Sequence, residues 1–121
     1  MIEIRIRKRQ SGKTTNLCKD YKDNEHNGPS VMFSASVQES NYKIRKYYVE
    51  NSWNYKETSR GWSTYDYLYF DECFQMSNLP MSFLHNLTLS GRTVKMTGTP
   101  NGKLDPNMEQ YMMKYYPEYF I

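Results

Sequence analysis

A Gly-Lys-Thr tripeptide near the start of the chain lies between a strand-like segment and a helix-like segment. Ile2–Ile6 alternates apolar and charged residues, which is the period of two expected of a strand. Residues 7–13 follow as a polar loop, and residues 14–22 predict a short helix. Backbone amides of such a loop and of the following helix N-terminus bind phosphate oxygens. The arrangement therefore predicts a phosphate-binding loop that opens an α/β fold.

Each residue type in this loop has a distinct expected role. Gly12 has no Cβ, so the backbone can approach a phosphate closely. Lys13 can reach the β- and γ-phosphates, and the Thr14 hydroxyl can bind Mg²⁺. The full motif has a glycine where this chain has Arg7, which leaves open a basic turn that only caps a helix. The other residues predicted to bind the nucleotide are Arg9, Gln10, Ser11 and Thr15.

A second motif is an apolar run that ends in two carboxylates. Residues 67–72 read Tyr-Leu-Tyr-Phe-Asp-Glu, and ligands of open α/β sheets bind beyond the carboxyl ends of the strands. We expect Asp71 to hold Mg²⁺ through a water, and Glu72 to orient or deprotonate an attacking water. The alternative is an ordinary solvent-exposed strand end, where Asp and Glu are common.

Strand-like and helix-like segments alternate along the rest of the chain. Strands are predicted at residues 31–35, 65–70 and 93–96, and helices at residues 37–50, 80–89 and 107–116, with a polar and aromatic loop at 51–64. This alternation predicts a single α/β domain over residues 1–121. Its mostly parallel sheet should have four to five strands, with helices on both faces.

The composition excludes several other classes of protein. The chain has 121 residues, and its apolar runs fall far short of the ~20 residues that cross a bilayer. The N-terminal segment lacks the unbroken apolar stretch of a signal peptide. Cys18 and Cys73 have no CxxC spacing, so neither a disulfide framework nor a zinc site is expected. We therefore expect no membrane partner and a location in a reducing cytoplasm.

Basic and aromatic residues are mixed in the middle of the chain. Residues 42–48 and 53–62 combine cations with Tyr and Trp rings. Bases of single-stranded nucleic acid stack on such rings while cations contact the phosphates. Packing of these rings in a small core is the alternative. The residues predicted to contact nucleic acid are Lys43, Arg45, Lys46, Tyr47 and Trp53.

Three segments together resemble the ATPase domain of large terminase subunits, the motors that package viral DNA. Residues 9–14 (Arg-Gln-Ser-Gly-Lys-Thr) are similar to the terminase phosphate loop, or Walker A motif. Residues 67–72 are similar to the acidic Walker B motif, and residues 97–102 (Thr-Gly-Thr-Pro-Asn-Gly) to the coupling motif. Superfamily-two helicases share this logic. The resemblance implies a small RecA-like P-loop core.

In this class the strand that carries the coupling motif lies between the strands that carry the other two motifs. The resemblance therefore implies that Thr97 or Thr99 lies between Lys13 and Glu72, and that these threonines couple hydrolysis to movement. It makes Glu72, Lys13, Thr97 and Thr99 the catalytic set, with Thr14 and Asp71 at the metal.

The implied function is Mg²⁺-dependent ATP hydrolysis coupled to DNA, in viral DNA packaging or translocation. A homo-oligomer, or a ring with other packaging or replication proteins, is implied as well. Arg9 matches a terminase arginine that senses the γ-phosphate. Arg60 or Arg92 could act as a finger toward a neighbouring subunit.

The sequence also departs from the terminase pattern. The first predicted strand begins at residue 2, with no preceding segment to grip adenine, and the acidic residues after Glu72 are too scattered for a nuclease centre. These departures favour an alternative, namely a non-catalytic nucleic-acid-binding or regulatory protein that retains a degenerate P-loop ATPase fold. A small nucleotide kinase is a third reading, but no arginine-rich lid is visible.

Overall fold

A computed structural model of the chain describes residues 1–8, 10–57, 61–76, 81–100 and 106–121, with the backbone alone at 81–82 and 106–108. Strands and helices alternate along these residues. In chain order they are β1 (Ile2–Ile6), α1 (Lys13–Asn24), β2 (Ser30–Ser34), α2 (Val37–Tyr47), β3 (Ser52–Asn54), β4 (Tyr67–Phe70), α3 (Met81–Leu89), β5 (Thr93–Gly98) and α4 (Pro106–Tyr115).

The five strands form one parallel sheet in the order β1-β5-β4-β2-β3. The predicted α/β class with a mostly parallel sheet is confirmed. Ile6 pairs with Gly98, and Phe70 pairs with Met96. The last strand in sequence is thus inserted between the two strands that carry the phosphate loop and the acidic pair. Parallel pairing brings the carboxyl ends of β1, β5 and β4 to the same edge of the sheet.

Each face of the sheet carries its own hydrophobic core. On one face, Leu17, Cys18 and Tyr21 of α1 pack against Met32 and Tyr69. On the other face, alternate strand residues pack against α3 and α4. This second cluster includes Val31, Phe33, Leu68, Phe70, Phe83, Leu84, Leu87, Val94, Met96 and Met112. Helices therefore cover both faces, as predicted.

The structure differs from the sequence expectation at β3. Residues 51–64 were expected to form a loop, whereas residues 52–54 pair in parallel with β2. Only Ser52 of these three residues is buried. A three-residue strand is too short to show the alternation of apolar and polar residues from which strands are predicted.

Helix α2 ends earlier than the predicted residue 50. Tyr48 adopts a left-handed conformation with φ 57°, and its N–H donates to the Lys43 carbonyl. The chain then turns back toward the sheet, where Val49 is fully buried. A residue with positive φ ends a helix without glycine only when its surroundings hold it there.

The end of the chain lies along the outer edge of β1. Phe120 forms a parallel bridge with Ile4, and the Ile121 N–H donates to the Ile4 carbonyl at 3.1 Å. Tyr116 and Tyr119 are partly buried against the core. The last turn of the chain is therefore held on the core by aromatic rings. None of the helices in the described ranges is long and apolar enough to cross a bilayer.

Candidate nucleotide site

The phosphate loop turns into α1 through left-handed backbone angles. Gly12 is the N-cap of α1, with φ 80°, and Gln10 has φ 57°. A Cβ at Gly12 would meet no protein atom within 4 Å, and the positive φ is by itself a reason for glycine here. Gln10 and Ser11 are exposed. Arg9 lies outside the described residues.

Lys13, the first residue of α1, points into the protein. It is 8% exposed, and its Nζ lies 2.9 Å from Glu72 Oε1. The two residues are 59 positions apart in sequence, and the fold joins them in an ion pair. Thr15, two residues further along α1, is exposed. Its hydroxyl lies 2.9 Å from the Tyr47 hydroxyl. Thr15 therefore links α1 to α2.

Asp71 is the centre of a buried hydrogen-bond network. Thr14 Oγ1 lies 3.0 Å from Asp71 Oδ2 and 3.2 Å from Oδ1. Thr97 Oγ1 donates to Oδ1 at 2.7 Å. Asp71 itself is 3% exposed. The three sequence motifs therefore meet at a single carboxylate.

Glu72 is held in an unusual conformation by the coupling motif. Its φ is 58°, a left-handed angle that is rare for a residue other than glycine. The Glu72 N–H donates to Thr97 Oγ1 at 3.1 Å, and Thr99 Oγ1 lies 2.9 Å from both carboxylate oxygens. Both threonines thus orient Glu72, one through its backbone and one through its side chain.

A close approach between Gly98 and Phe74 was missed by the sequence analysis. A Cβ at Gly98 would lie 2.7 Å from two carbons of the Phe74 ring and 3.1 Å from Ile6 Cδ1. Phe74 belongs to the 3₁₀ turn Cys73–Gln75 that follows the acidic pair. The small residue between the two threonines therefore lets this turn pack onto β5. A glycine between two threonines was the sequence signal that could have indicated this close approach.

An open cavity of about 210 Å³ lies beside Asp71 and Glu72. A water occupies about 30 Å³ of liquid, so the space holds several waters or a phosphate group with waters. Its polar lining includes Thr14, Lys43, Asp71, Glu72, Gln75 and Thr99. Gln75 and Lys43 were not expected here.

Thr14 and Asp71 fit a magnesium ion by the chemistry of their donors. Mg²⁺ prefers oxygen ligands and usually completes its shell with waters and substrate phosphates. A hydroxyl and a carboxylate oxygen lie 3.0 Å apart here, beside the cavity. Within the described ranges, no group of three or more His, Cys, Asp or Glu side chains could hold a metal. Thr14 and Asp71 would leave the other positions of a magnesium shell to waters or further oxygen ligands.

The structure contradicts the predicted surface position of Lys43. The residue is 1% exposed, so it cannot reach a nucleic-acid backbone. Its Nζ lies 3.0 Å from Asp71 Oδ2 and donates to Ser34 Oγ at 2.8 Å. The physical reason is the helical period. Ser40, Lys43 and Tyr47 form the inward stripe of α2, while the apolar Ile44 is exposed.

The other predicted nucleic-acid contacts do not form a single patch. Arg45 and Lys46 are exposed on α2, and Tyr47 is half-buried. Trp53 is 48% exposed, but it pairs in register with Phe33, whose side chain lies on the opposite face of the sheet from α1 and α2. Trp53 therefore belongs to a different surface.

Of the two candidate finger arginines, the one that the structure describes lies away from the cavity. Arg60 lies outside the described residues. Arg92 precedes β5, at the end of the sheet opposite the site. It donates to the Tyr65 and Ser63 carbonyls and stacks on the Trp62 ring at 5.2 Å. Within its own chain Arg92 stabilises a loop.

No protein-family model matches this chain, and no curated protein is significantly similar to it.

Proposed function

We propose that this chain binds ATP with Mg²⁺ and hydrolyses it, as an ATPase of the terminase or helicase type that acts on DNA. One observation carries the proposal: Thr14 contacts Asp71 and Lys13 contacts Glu72, at the edge where the motif-bearing strands end. A shared site for phosphate binding and water activation would bring these residues together in this way, which supports the proposal.

The proposed reaction uses the contacts already present. Lys13 is paired with Glu72, and a bound phosphate would compete for its ammonium group. Once Lys13 turns to the phosphate, Glu72 loses its counter-ion but keeps its hydrogen bond to Thr99. The carboxylate then faces the cavity in a fixed orientation and can orient a water or accept its proton. Bound Mg²⁺ would supply charge neutralisation on the phosphate oxygens.

DNA binding is supported by the outer side of α2. Lys46 Nζ lies 2.8 Å from the Tyr42 hydroxyl, and 5.3 Å and 5.5 Å from the Tyr42 and Tyr47 ring centroids. Arg45 is exposed beside it. A surface of this kind can bind single-stranded DNA, because bases stack on the aromatic rings while lysine and arginine contact the phosphates. An oligomeric ring and a role in viral DNA packaging belong to the same proposal and depend on the resemblance.

The test measures nucleotide binding and hydrolysis separately. ATP binding is followed by calorimetry and turnover by phosphate release, with Mg²⁺, with and without single- and double-stranded DNA. Lys13→Ala should weaken binding by at least about tenfold, because a phosphate loses its cation. Glu72→Gln should keep binding but slow turnover by roughly 100-fold or more.

The chain offers matched controls for both variants. Lys22 and Glu25 form an ion pair of 2.8 Å at the far end of α1. Lys22→Ala and Glu25→Gln make the same charge changes there and should leave binding and turnover unchanged. The proposal is wrong if the wild-type chain neither binds nor hydrolyses ATP under any of these conditions.

A second candidate is the non-catalytic nucleic-acid-binding or regulatory protein. It is favoured by the pairing of both acidic residues with lysines, Asp71 with Lys43 and Glu72 with Lys13. Its signature would be DNA binding that is unchanged in Lys13→Ala, together with no turnover in the wild-type chain.

A further inference from the structure

The buried ammonium of Lys43 is an unexpected component of the nucleotide site. It comes from α2, a helix that carries none of the three motifs, and contacts Asp71 Oδ2 at 3.0 Å. The hydroxyl of Ser34, at the end of β2, accepts a second hydrogen bond from it at 2.8 Å. Ser34 is fully buried. Lys43 is therefore anchored from two sides.

Lys43 and Thr14 contact the same oxygen atom of Asp71. A carboxylate has about four acceptor positions, and Thr14, Thr97 and Lys43 together occupy both oxygens. Thr14 and Asp71 would hold Mg²⁺, and Asp71 already contacts the Lys43 ammonium at 3.0 Å. A second positive charge on the same partly buried carboxylate would be repelled by that ammonium.

The charge of Lys43 also faces the cavity. Lys43 lines it together with Glu72 and Thr99, and a further carboxylate, that of Glu39, lies 4.0 Å from Nζ and is 59% exposed. Burying a lysine is costly, and an apolar side chain of similar size often stabilises a fold better than a buried ion pair does. A lysine at this position therefore points to a role beyond packing.

We propose that Lys43 is the positioning residue of Asp71 and a built-in cation with which Mg²⁺ must compete. The inference rests on the proposed nucleotide-binding function. It predicts that Lys43 balances the negative charge of Asp71 when no metal is bound. Nucleotide binding should then depend less on Mg²⁺ than in a site where Asp71 is free, and part of the phosphate charge should be balanced by Lys43 itself.

The experiment measures the dissociation constant of a non-hydrolysable ATP analogue by calorimetry, in EDTA and over a Mg²⁺ titration. Lys43→Met should weaken metal-free binding by about tenfold and lower the half-saturating Mg²⁺ concentration by about tenfold, because one cation is removed from beside the metal. Lys43→Arg keeps the charge, and the adjoining cavity has room for the larger head group. The Lys43→Arg variant should therefore keep the Mg²⁺ dependence of the wild type.

Two further variants make the result decisive. Lys95→Met removes a lysine of another ion pair, with Asp20 at 3.4 Å, and should leave the Mg²⁺ dependence unchanged. If circular dichroism shows that Lys43→Met does not fold, Lys43→Gln tests the same loss of charge with a hydrogen-bonding side chain. Equal Mg²⁺ dependence in the wild type and the neutral variant overturns this inference alone. Absence of nucleotide binding by the wild type at every Mg²⁺ concentration overturns the proposed function with it.

Discussion

Thr97 joins the two acidic residues through a single hydroxyl group. It donates to Asp71 Oδ1 at 2.7 Å and accepts the Glu72 N–H at 3.1 Å. Because Thr97 is 3% exposed, water cannot replace either bond without a rearrangement. The Thr97 hydroxyl therefore stabilises the arrangement of the acidic pair.

Thr97→Val should lower the free energy of unfolding by about 1–3 kcal/mol, since a buried carboxylate and a backbone N–H each lose a partner. Urea denaturation followed by Trp fluorescence measures the change. Thr93→Val makes the same substitution at a half-buried position on the same strand and should cost less. An equal loss in both variants would contradict the assigned role of the Thr97 hydroxyl.

Gly98→Ala should destabilise the protein by roughly 1–3 kcal/mol through overpacking, because its Cβ would lie 2.7 Å from the Phe74 ring. Phe74→Leu removes ring atoms at the contact. In a double-mutant cycle the combined variant should therefore be more stable than the sum of the single effects predicts. Strict additivity in urea denaturation would show that the two residues do not constrain each other.

At the scale of secondary-structure elements, α2 connects the candidate site to the surface. Its inward stripe carries Lys43, while Arg45 and Lys46 face solvent. The helix starts at a good N-cap, since Ser36 Oγ accepts the Glu39 N–H at 3.1 Å. One element thus positions a site residue and presents a basic, aromatic face.

Replacing Arg45 and Lys46 together by Gln should weaken single-stranded DNA binding and lower the slope of log affinity against log salt by roughly 0.7 for each lost phosphate contact. Fluorescence anisotropy at several salt concentrations measures both. Lys114→Gln is a suitable control, because Lys114 lies over a tyrosine ring at 5.2 Å on α4. A salt slope that is the same in all variants would place DNA elsewhere on the protein.

At the scale of the whole molecule, each sheet face buries one cysteine. Cys18 lies in the core under α1, and Cys73 lies in the core on the opposite face. Burial raises the pKa of Cys18 to about 12 and raises the pKa of Cys73 as well. Both thiols should be protonated and inaccessible near neutral pH.

Reaction with a disulfide reagent at pH 8 should therefore be slow for both thiols and should accelerate together across the urea transition. Single variants, Cys18→Ala and Cys73→Ala, separate the two faces. Rapid labelling of one thiol in the absence of urea would show that its face opens independently of the other.

The same pKa shifts predict a loss of stability at alkaline pH. The folded-state pKa of Cys18 lies above the ordinary 9.0, and burial likewise raises that of Tyr69 from 10.0 to about 12. Folding therefore favours the protonated groups, and their contribution is lost as the pH rises from about 9 to about 12. Urea midpoints should be flat from pH 7 to pH 8.5 and fall above pH 9. A midpoint that rises in this range would contradict the assignment.

Local patterns were sufficient for most of the elements and for the loop. Ile2–Ile6 alternates clearly, and Gly12-Lys13 is followed by a helix, so the strand–loop–helix unit could be predicted from adjacent residues. The insertion of β5 between β1 and β4 came from the resemblance, and the sheet order agrees with it. Strand β3 could not be predicted, because three residues are too few to show a period-two pattern.

The amino-acid sequence was enough to predict an α/β fold and the three motif segments of the candidate site, because strand and helix periods and short motifs are properties of neighbouring residues. Only the tertiary structure decided that Lys43 turns inward onto Asp71, that Gly98 receives the Phe74 ring, and that Trp53 lies apart from Lys46. Those outcomes depend on which face of the sheet each helix covers and how closely distant elements approach. No local pattern carries that information, since it is set by the packing of the whole chain.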